Sequence, residues 1–249
     1  MMRALRRGYL VGAYYASWLL FGLGGLLLNA VSAVSLLLPG ATGRQQRTRA
    51  VIRWMFELWV RWFHASGVVA VSWRGFPDVL PRGVVYVANH PSLVDAPILL
   101  SRLPDAVCIF KPALMRNPAI GPAAIAANYA GGDSGVEVLR NAAERVVHGQ
   151  SLLVFPEGTR TAPGVRLGRF KPGFALIAQR AGVPVVAIRV RASAGLVRRG
   201  NPWWQPPAVL PGFVEFTFAG RWDPEPGQSP LELAAAVEQH LLGRLPEPA

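Results

Sequence analysis

The chain is poor in the residues that build covalent or metal-held scaffolds. Its single cysteine, Cys108, excludes an internal disulfide, and its four histidines are scattered without a zinc-ligand spacing. Charge is scarce too, at 16% of residues against roughly 25% in an ordinary soluble domain, while 51% are hydrophobic and mean hydropathy is positive. That deficit points towards a membrane. Acidic residues and lysines are the rarest charges: 14 Asp and Glu face 26 Lys and Arg, only Lys111 and Lys171 are lysines, and the net charge is +12. Such a balance suits a polyanion, whether nucleic acid, an anionic lipid surface or a phosphorylated small molecule. An arginine-rich genome would produce the same excess without any mechanism. Nucleic acid is disfavoured because the aromatic residues cluster in one apolar segment instead of alternating with basic residues along strands. No internal repeat, heptad run or low-complexity tract is present. At 249 residues and 26.9 kDa the chain suits one catalytic-size domain with a modest appendage. The expected division is a membrane anchor and interfacial helix over 1–64 and the main domain over 65–249.

No charged residue occurs between Gly8 and Leu38, and arginines flank the run at Arg3, Arg6 and Arg7 and at Arg44, Arg47 and Arg49. As one helix these 31 residues would extend about 46 Å, against a hydrocarbon core of about 30 Å. A tilted span and a hairpin re-entering one leaflet both fit, with Gly22, Gly24 and Gly25 as the break in the hairpin. Arginine on both flanks agrees with both ends on the cytoplasmic side. A cleaved signal peptide ending near Ala30-Val31-Ser32-Ala33 would need about twice the usual apolar core of about 7 to 15 residues. From Val51 to Phe63, tryptophan and phenylalanine are interrupted by Arg53, Glu57 and Arg61 at i, i+4 and i+8. That spacing gives a helix one charged face and suits the headgroup region, and it is compatible with packing on the domain.

Beyond residue 65 the apolar runs 68–73, 83–88, 106–110, 151–155 and 184–190 read as strands, and 93–102, 136–149 and 173–180 as helices between them. This alternation predicts an α/β fold: a central, mostly parallel sheet flanked by helices. The valine-rich 83–88 lacks polar alternation, as expected of a strand buried on both faces. Cys108 falls in an apolar run and reads as a core thiol. A late strand at Phe213 to Phe218 is expected at an edge, followed by a final helix over 231–242, while 112–132 is broken by proline and glycine.

Chemistry concentrates where two strands end. Asn89-His90-Pro91-Ser92-Leu93-Val94-Asp95 follows one strand and Phe155-Pro156-Glu157-Gly158-Thr159-Arg160-Thr161 follows another, which implies one shared cleft. His90 can take a proton from an alcohol as its oxygen attacks an electrophile, then return it to a leaving group. Asp95, five residues on, can orient the imidazole if the chain turns at Pro91 and enters a helix. Ser92 reads as a cap at that helix start. Arg160 offers a bidentate cation suited to phosphate, and Gly158 would allow backbone N–H groups close to an anion. Glu157 would order Arg160 or bind a substrate hydroxyl.

These signatures, followed by Ala181-Gly182-Val183-Pro184-Val185-Val186, resemble the glycerolipid acyltransferase superfamily, best known from 1-acylglycerol-3-phosphate acyltransferase. The similarity spans about half the chain, Val68 to Arg191. The resemblance implies that His90 deprotonates the acceptor hydroxyl and Asp95 orients it. It implies that Glu157, Gly158, Thr159 and Arg160 bind the acceptor phosphate and that Pro184 lies near the acyl site. Where the family carries a second phosphate-contacting arginine, this chain reads Ala124-Ile125-Ala126-Ala127-Asn128-Tyr129-Ala130-Gly131-Gly132-Asp133, so Lys111 or Arg116 would have to compensate. With Lys111-Pro112-Ala113-Leu114-Met115-Arg116-Asn117-Pro118 and Asn201-Pro202-Trp203-Trp204, this is similar to a branch associated with aryl-polyene-type pathways. The implied reaction moves a fatty acyl group from acyl-CoA or an acyl carrier protein to a lysophospholipid hydroxyl, giving phosphatidic acid. It requires no metal or cofactor. The implied setting is the cytoplasmic face of the cell inner membrane, with anionic lipid as a partner and no nucleic acid.

Overall fold

The computed structural model describes residues 1–37, 43–110, 115–116, 121–131, 135–193, 196–197 and 200–243. The strands are β1 (Val69–Arg74), β2 (Val85–Ala88), β3 (Ala106–Cys108), β4 (Ser151–Val154), β5 (Val185–Ala192) and β6 (Gly212–Trp222), in the spatial order β1-β6-β5-β2-β4-β3. Every residue of β2 and β4 is buried, which explains why these central strands read as apolar runs without alternation. All neighbours pair in parallel except β5 and β6, so the sheet is mostly parallel with one antiparallel joint. The late strand β6 is therefore internal, which corrects the expected edge position. It pairs with β5 on one side and β1 on the other, and β1 and β3 form the edges among the described strands.

Among the described residues the helices that follow the strands are α3 (Asp95–Leu100), α4 (Gly121–Ala126), α5 (Gly135–Val147), α6 (Gly173–Ala181) and α7 (Pro230–Gly243). The register matches Val87 of β2 with Val154 of β4 and Ala88 with Ile188 of β5. The loops leaving β2 and β4 thus emerge side by side at one end of the sheet, where α/β folds place their binding crevices.

The glycine cluster does not break the N-terminal segment: α1 (Met2–Leu37) is one continuous helix of about 54 Å. The hairpin alternative is thereby corrected. Gly24 instead faces α2 (Arg44–Ser66), where a Cβ would stand 2.9 Å from Met55 Cε, the mobile tip of a flexible side chain. One stripe of α1, including Leu10, Ala13, Tyr14, Ser17, Asn29 and Ser32, is buried. Trp59 and Trp62 of α2 donate to the Ser17 carbonyl and hydroxyl, each at 2.8 Å, and Asn29 Oδ1 accepts from Ala123 N of α4 at 3.1 Å. The opposite stripe, with Leu19, Leu23, Leu26, Leu27, Val34 and Leu37, is exposed along the helix. By length and composition α1 is also long and apolar enough to cross a membrane.

The charged stripe of α2 does not turn uniformly outward. Arg49, one turn before Arg53, is buried against Asp105, and Arg53 Nε reaches the Ser101 carbonyl at 3.3 Å. Asp105, Ala127 O and Ser101 O accept these inward-turned donors, while Val51, Trp54 and Leu58 are among the exposed residues of α2.

Candidate active site

His90 sits just past the C-terminal end of β2. The preceding Asn89 fixes that exit, because its amide accepts from Val190 N at 2.7 Å and donates to Val190 O at 2.8 Å, prolonging the pairing with β5 through a side chain. Pro91 ends the extended run and Asp95 opens α3. Asp95 is fully buried: Oδ2 lies 3.0 Å from His90 Nδ1 and accepts from Ser92 N at 2.7 Å, while Oδ1 accepts the Ser92 hydroxyl. A carboxylate can only accept, so Nδ1 carries the hydrogen and the Nε2 lone pair is available as a base. Nε2 has no hydrogen-bond partner among the described residues, and the ring is 16% exposed and stacked on Phe155 at 4.1 Å. Ser92 is corrected from helix cap to carboxylate holder: it precedes α3 by three residues and is completely buried.

The second signature wraps beneath the first. Glu157 is buried and accepts from His90 N, the Thr161 hydroxyl and Gly168 N, each at 2.9 Å. Thr161 N in turn donates to His90 O at 2.8 Å. Glu157 therefore staples its own loop to the residue carrying the base, and none of its hydrogen bonds reaches Arg160. Gly158 also departs from expectation. Its N–H closes a turn onto Phe155 O at 3.0 Å, and a Cβ at its positive φ of 71° would stand 3.2 Å from Lys171 Nζ. This glycine makes room for the lysine instead of offering an amide to an anion. Thr159 is exposed on the same turn.

Arg160 donates to the Val197 carbonyl at 2.9 Å, and Leu93 N donates to the same oxygen at 3.1 Å. Val197 is buried with φ at 43°, a left-handed conformation that costs a β-branched residue about 1 to 3 kcal/mol. It joins the β5–β6 connection to both signatures, and nothing in its sequence context marks it. Pro184 is set apart: it precedes β5 and its carbonyl accepts from Val85 N at the strand N-termini, whereas His90 follows the opposite end of β2. The structure does not bring it to the dyad. Lys111 lies outside the described residues, and Arg116 lies within them.

Residues 75–191 match the Acyltransferase family, and that segment contains both signatures. The matched stretch, just under half of the chain, is an Acyltransferase-family segment. This acyltransferase domain is 37% identical over 122 residues to the 1-acyl-sn-glycerol-3-phosphate acyltransferase BAT2, chloroplastic, of Brassica napus, covering 47% of this chain and 35% of that protein. A 1-acyl-sn-glycerol-3-phosphate acyltransferase of Cocos nucifera is 28% identical over 170 residues, covering 66% of this chain and 54% of the relative. The chain thus spans about a third to a half of the length of these curated relatives. The fold is that of the 1-acyl-sn-glycerophosphate (LPA) acyltransferase PlsC from Thermotoga maritima, with a TM-score of 0.70, 24% identity, and coverage of 96% of this chain and 95% of that one. In this acyltransferase domain the matched segment runs from the β1–β2 turn into β5, so α1 and α2 lie outside it.

Proposed function

We propose that the protein is an acyltransferase that moves a fatty acyl group from acyl-CoA or an acyl carrier protein to the hydroxyl of a 1-acylglycerol-3-phosphate, forming phosphatidic acid. The observation that carries this reading is the His90–Asp95 contact of 3.0 Å, made by a fully buried carboxylate beside an imidazole with one nitrogen available. His90 Nε2 takes the hydroxyl proton as the acceptor oxygen bonds to the thioester carbonyl carbon, and Asp95 stabilises the imidazolium. The tetrahedral intermediate then breaks its C–S bond, and the departing thiolate takes the proton from Nε2. Ester and free thiol leave together, and His90 returns to its starting state.

The N–H groups of His90, Ser92, Leu93, Gly158 and Thr161 are all taken by protein acceptors, so they do not serve as donors to the oxyanion of the tetrahedral intermediate. Arg160 and Lys171 border the loop as cations suited to the acceptor phosphate. Related proteins named 1-acyl-sn-glycerol-3-phosphate acyltransferases support this acceptor. The exposed apolar stripe of α1 supports a lipid-bound protein. Because the inner stripe is docked from Leu10 to Ser32, the helix lies along the domain and enters one leaflet side-on at the cytoplasmic membrane face.

A second reading has one observation in its favour. The segment Ala124 to Ala130 lacks the arginine of the family pattern and is committed to packing, with Ala127 O accepting from Arg49. A lipid or polyketide hydroxyl or amine without glycerol phosphate then becomes the acceptor. Mass spectrometry after incubation with acyl-CoA or acyl carrier protein and a panel of lysolipids decides between them. The first reading expects phosphatidic acid from lysophosphatidic acid, and His90→Ala should lower that turnover at least about 100-fold with the circular dichroism unchanged. Products from other acceptors alone favour the second, and no thioester consumption sinks both.

A further inference from the structure

The β5–β6 connection carries Trp203 and Trp204, 48% and 61% exposed, and neither belongs to the acyl-transfer site. Its backbone is bound to α1. The Tyr14 hydroxyl donates to Trp203 O at 2.5 Å, the Tyr15 hydroxyl to Trp204 O at 3.1 Å, and Arg7 Nη1 to Ala208 O at 2.8 Å. Trp18 packs on Trp203 with ring centroids 5.7 Å apart. The carbonyls are thus satisfied by α1 while the indoles remain largely in solvent, beside Val209 at 66% exposure. Adjacent exposed tryptophans are unusual on a soluble surface, whereas indole favours the water–bilayer boundary, where its ring meets acyl chains and its N–H meets headgroups. The loop sits against Tyr14, Tyr15 and Trp18 of α1 and, through Arg7, adjoins the arginine-bearing end of that helix at Arg3, Arg6 and Arg7, whose charge complements an anionic headgroup layer.

We propose that the Trp203–Trp204 loop is a second membrane-contact element, seated in the headgroup region of an anionic bilayer beside α1. At its other end the same connection supplies Val197, whose carbonyl holds Leu93 N and Arg160. Seating the indoles therefore sets the orientation of the His90 cleft relative to the lipid surface from which an acceptor is drawn. The inference rests on the reading of α1 as lipid-embedded.

The test uses full-length protein on vesicles of phosphatidylethanolamine and phosphatidylglycerol, with nitroxide labels at Trp204→Cys and, separately, at Leu23→Cys on the exposed stripe of α1. The native thiol of Cys108 is buried and does not compete. Both labels should become protected from a water-soluble nickel chelate and remain accessible to oxygen. Protection at Leu23 with free access at Trp204 overturns the loop's role and leaves α1 as anchor. Free access at both overturns the anchor and the loop together. In parallel, Trp204→Ser should lower turnover of a vesicle-borne acceptor about tenfold while turnover of a water-soluble short-chain acceptor stays within about twofold. Equal losses on both acceptors, or no loss on either, overturn the proposal.

Discussion

At the C-terminal ends of the strands Asp95 is enclosed by Ser92 and an imidazole, and at the N-terminal ends Asp105 is enclosed by a guanidinium. Arg49 Nε and Nη2 reach the two Asp105 oxygens at 2.6 and 3.3 Å, and Nη1 reaches Ala127 O at 2.9 Å. This pair closes one wall of a cleft of ≈ 320 Å³ also lined by Arg53, Trp54 and Arg82. The cleft is an inviting cavity, yet its buried guanidinium spends its donors on protein acceptors and leaves none to a ligand. His90 offers the converse: one nitrogen held, the other available. A buried charge matched by a permanent counter-charge is architecture, whereas one matched by a titratable ring is a route for protons.

The sharpest way to break this comparison is Asp95→Asn. The amide cannot accept at both former oxygens, so the ring loses its tautomer and its support, and thioester turnover should fall about 10³-fold. A loss of less than tenfold would make the contact architectural after all. Glu157→Gln puts an amide NH2 against either the Gly168 N–H or the pair of donors from His90 N and Thr161 Oγ1, and it should reduce turnover about tenfold and stability by about 2 kcal/mol. Urea unfolding and steady-state rates on the same preparation check both effects.

Arg49→Met sharpens the other side. It leaves Asp105 partly buried without its partner and should cost about 2 to 4 kcal/mol in urea unfolding while turnover per folded molecule stays within about twofold. The smallest effect is expected at Cys108. Burial pushes its thiol up to about 12, so at pH 8 only about one molecule in 10⁴ carries a thiolate. An aromatic disulfide reagent should react with it only after unfolding and leave activity unchanged; rapid native labelling would show the edge strand β3 to be open.

Much of the site was legible because chemistry and position coincide along the chain. Asn89 to Asp95 and Phe155 to Thr161 each follow a strand, and a parallel register sets consecutive strand ends together. Roles within the signatures were less legible. Glu157, expected to act on Arg160 or substrate, is consumed by the backbone of His90 and Gly168. Ser92 and Thr161 serve the carboxylates Asp95 and Glu157, and Val197 supplies a carbonyl from a remote connection. Hydrogen-bond assignments of this kind depend on which loops meet, and spacing along the chain does not encode that. The internal position of β6 was hidden for the same reason: its burial pattern is similar whether one or two neighbours pair with its edges.

From the amino-acid order alone came the alternating α/β architecture, the long uncharged N-terminal run and the pairing of His90 with Asp95, because periodicity, uncharged length and short-range turns are local properties of a chain. Only the tertiary structure decided that α1 stays unbroken across its glycines, that Arg49 turns inward, that Pro184 stands at the far end of the strands and that the Trp203–Trp204 loop is held by Tyr14, Tyr15 and Trp18 of α1. Each of those outcomes is a competition among contacts between distant segments, settled by which polar groups would otherwise be buried without a partner and which apolar surfaces remain uncovered.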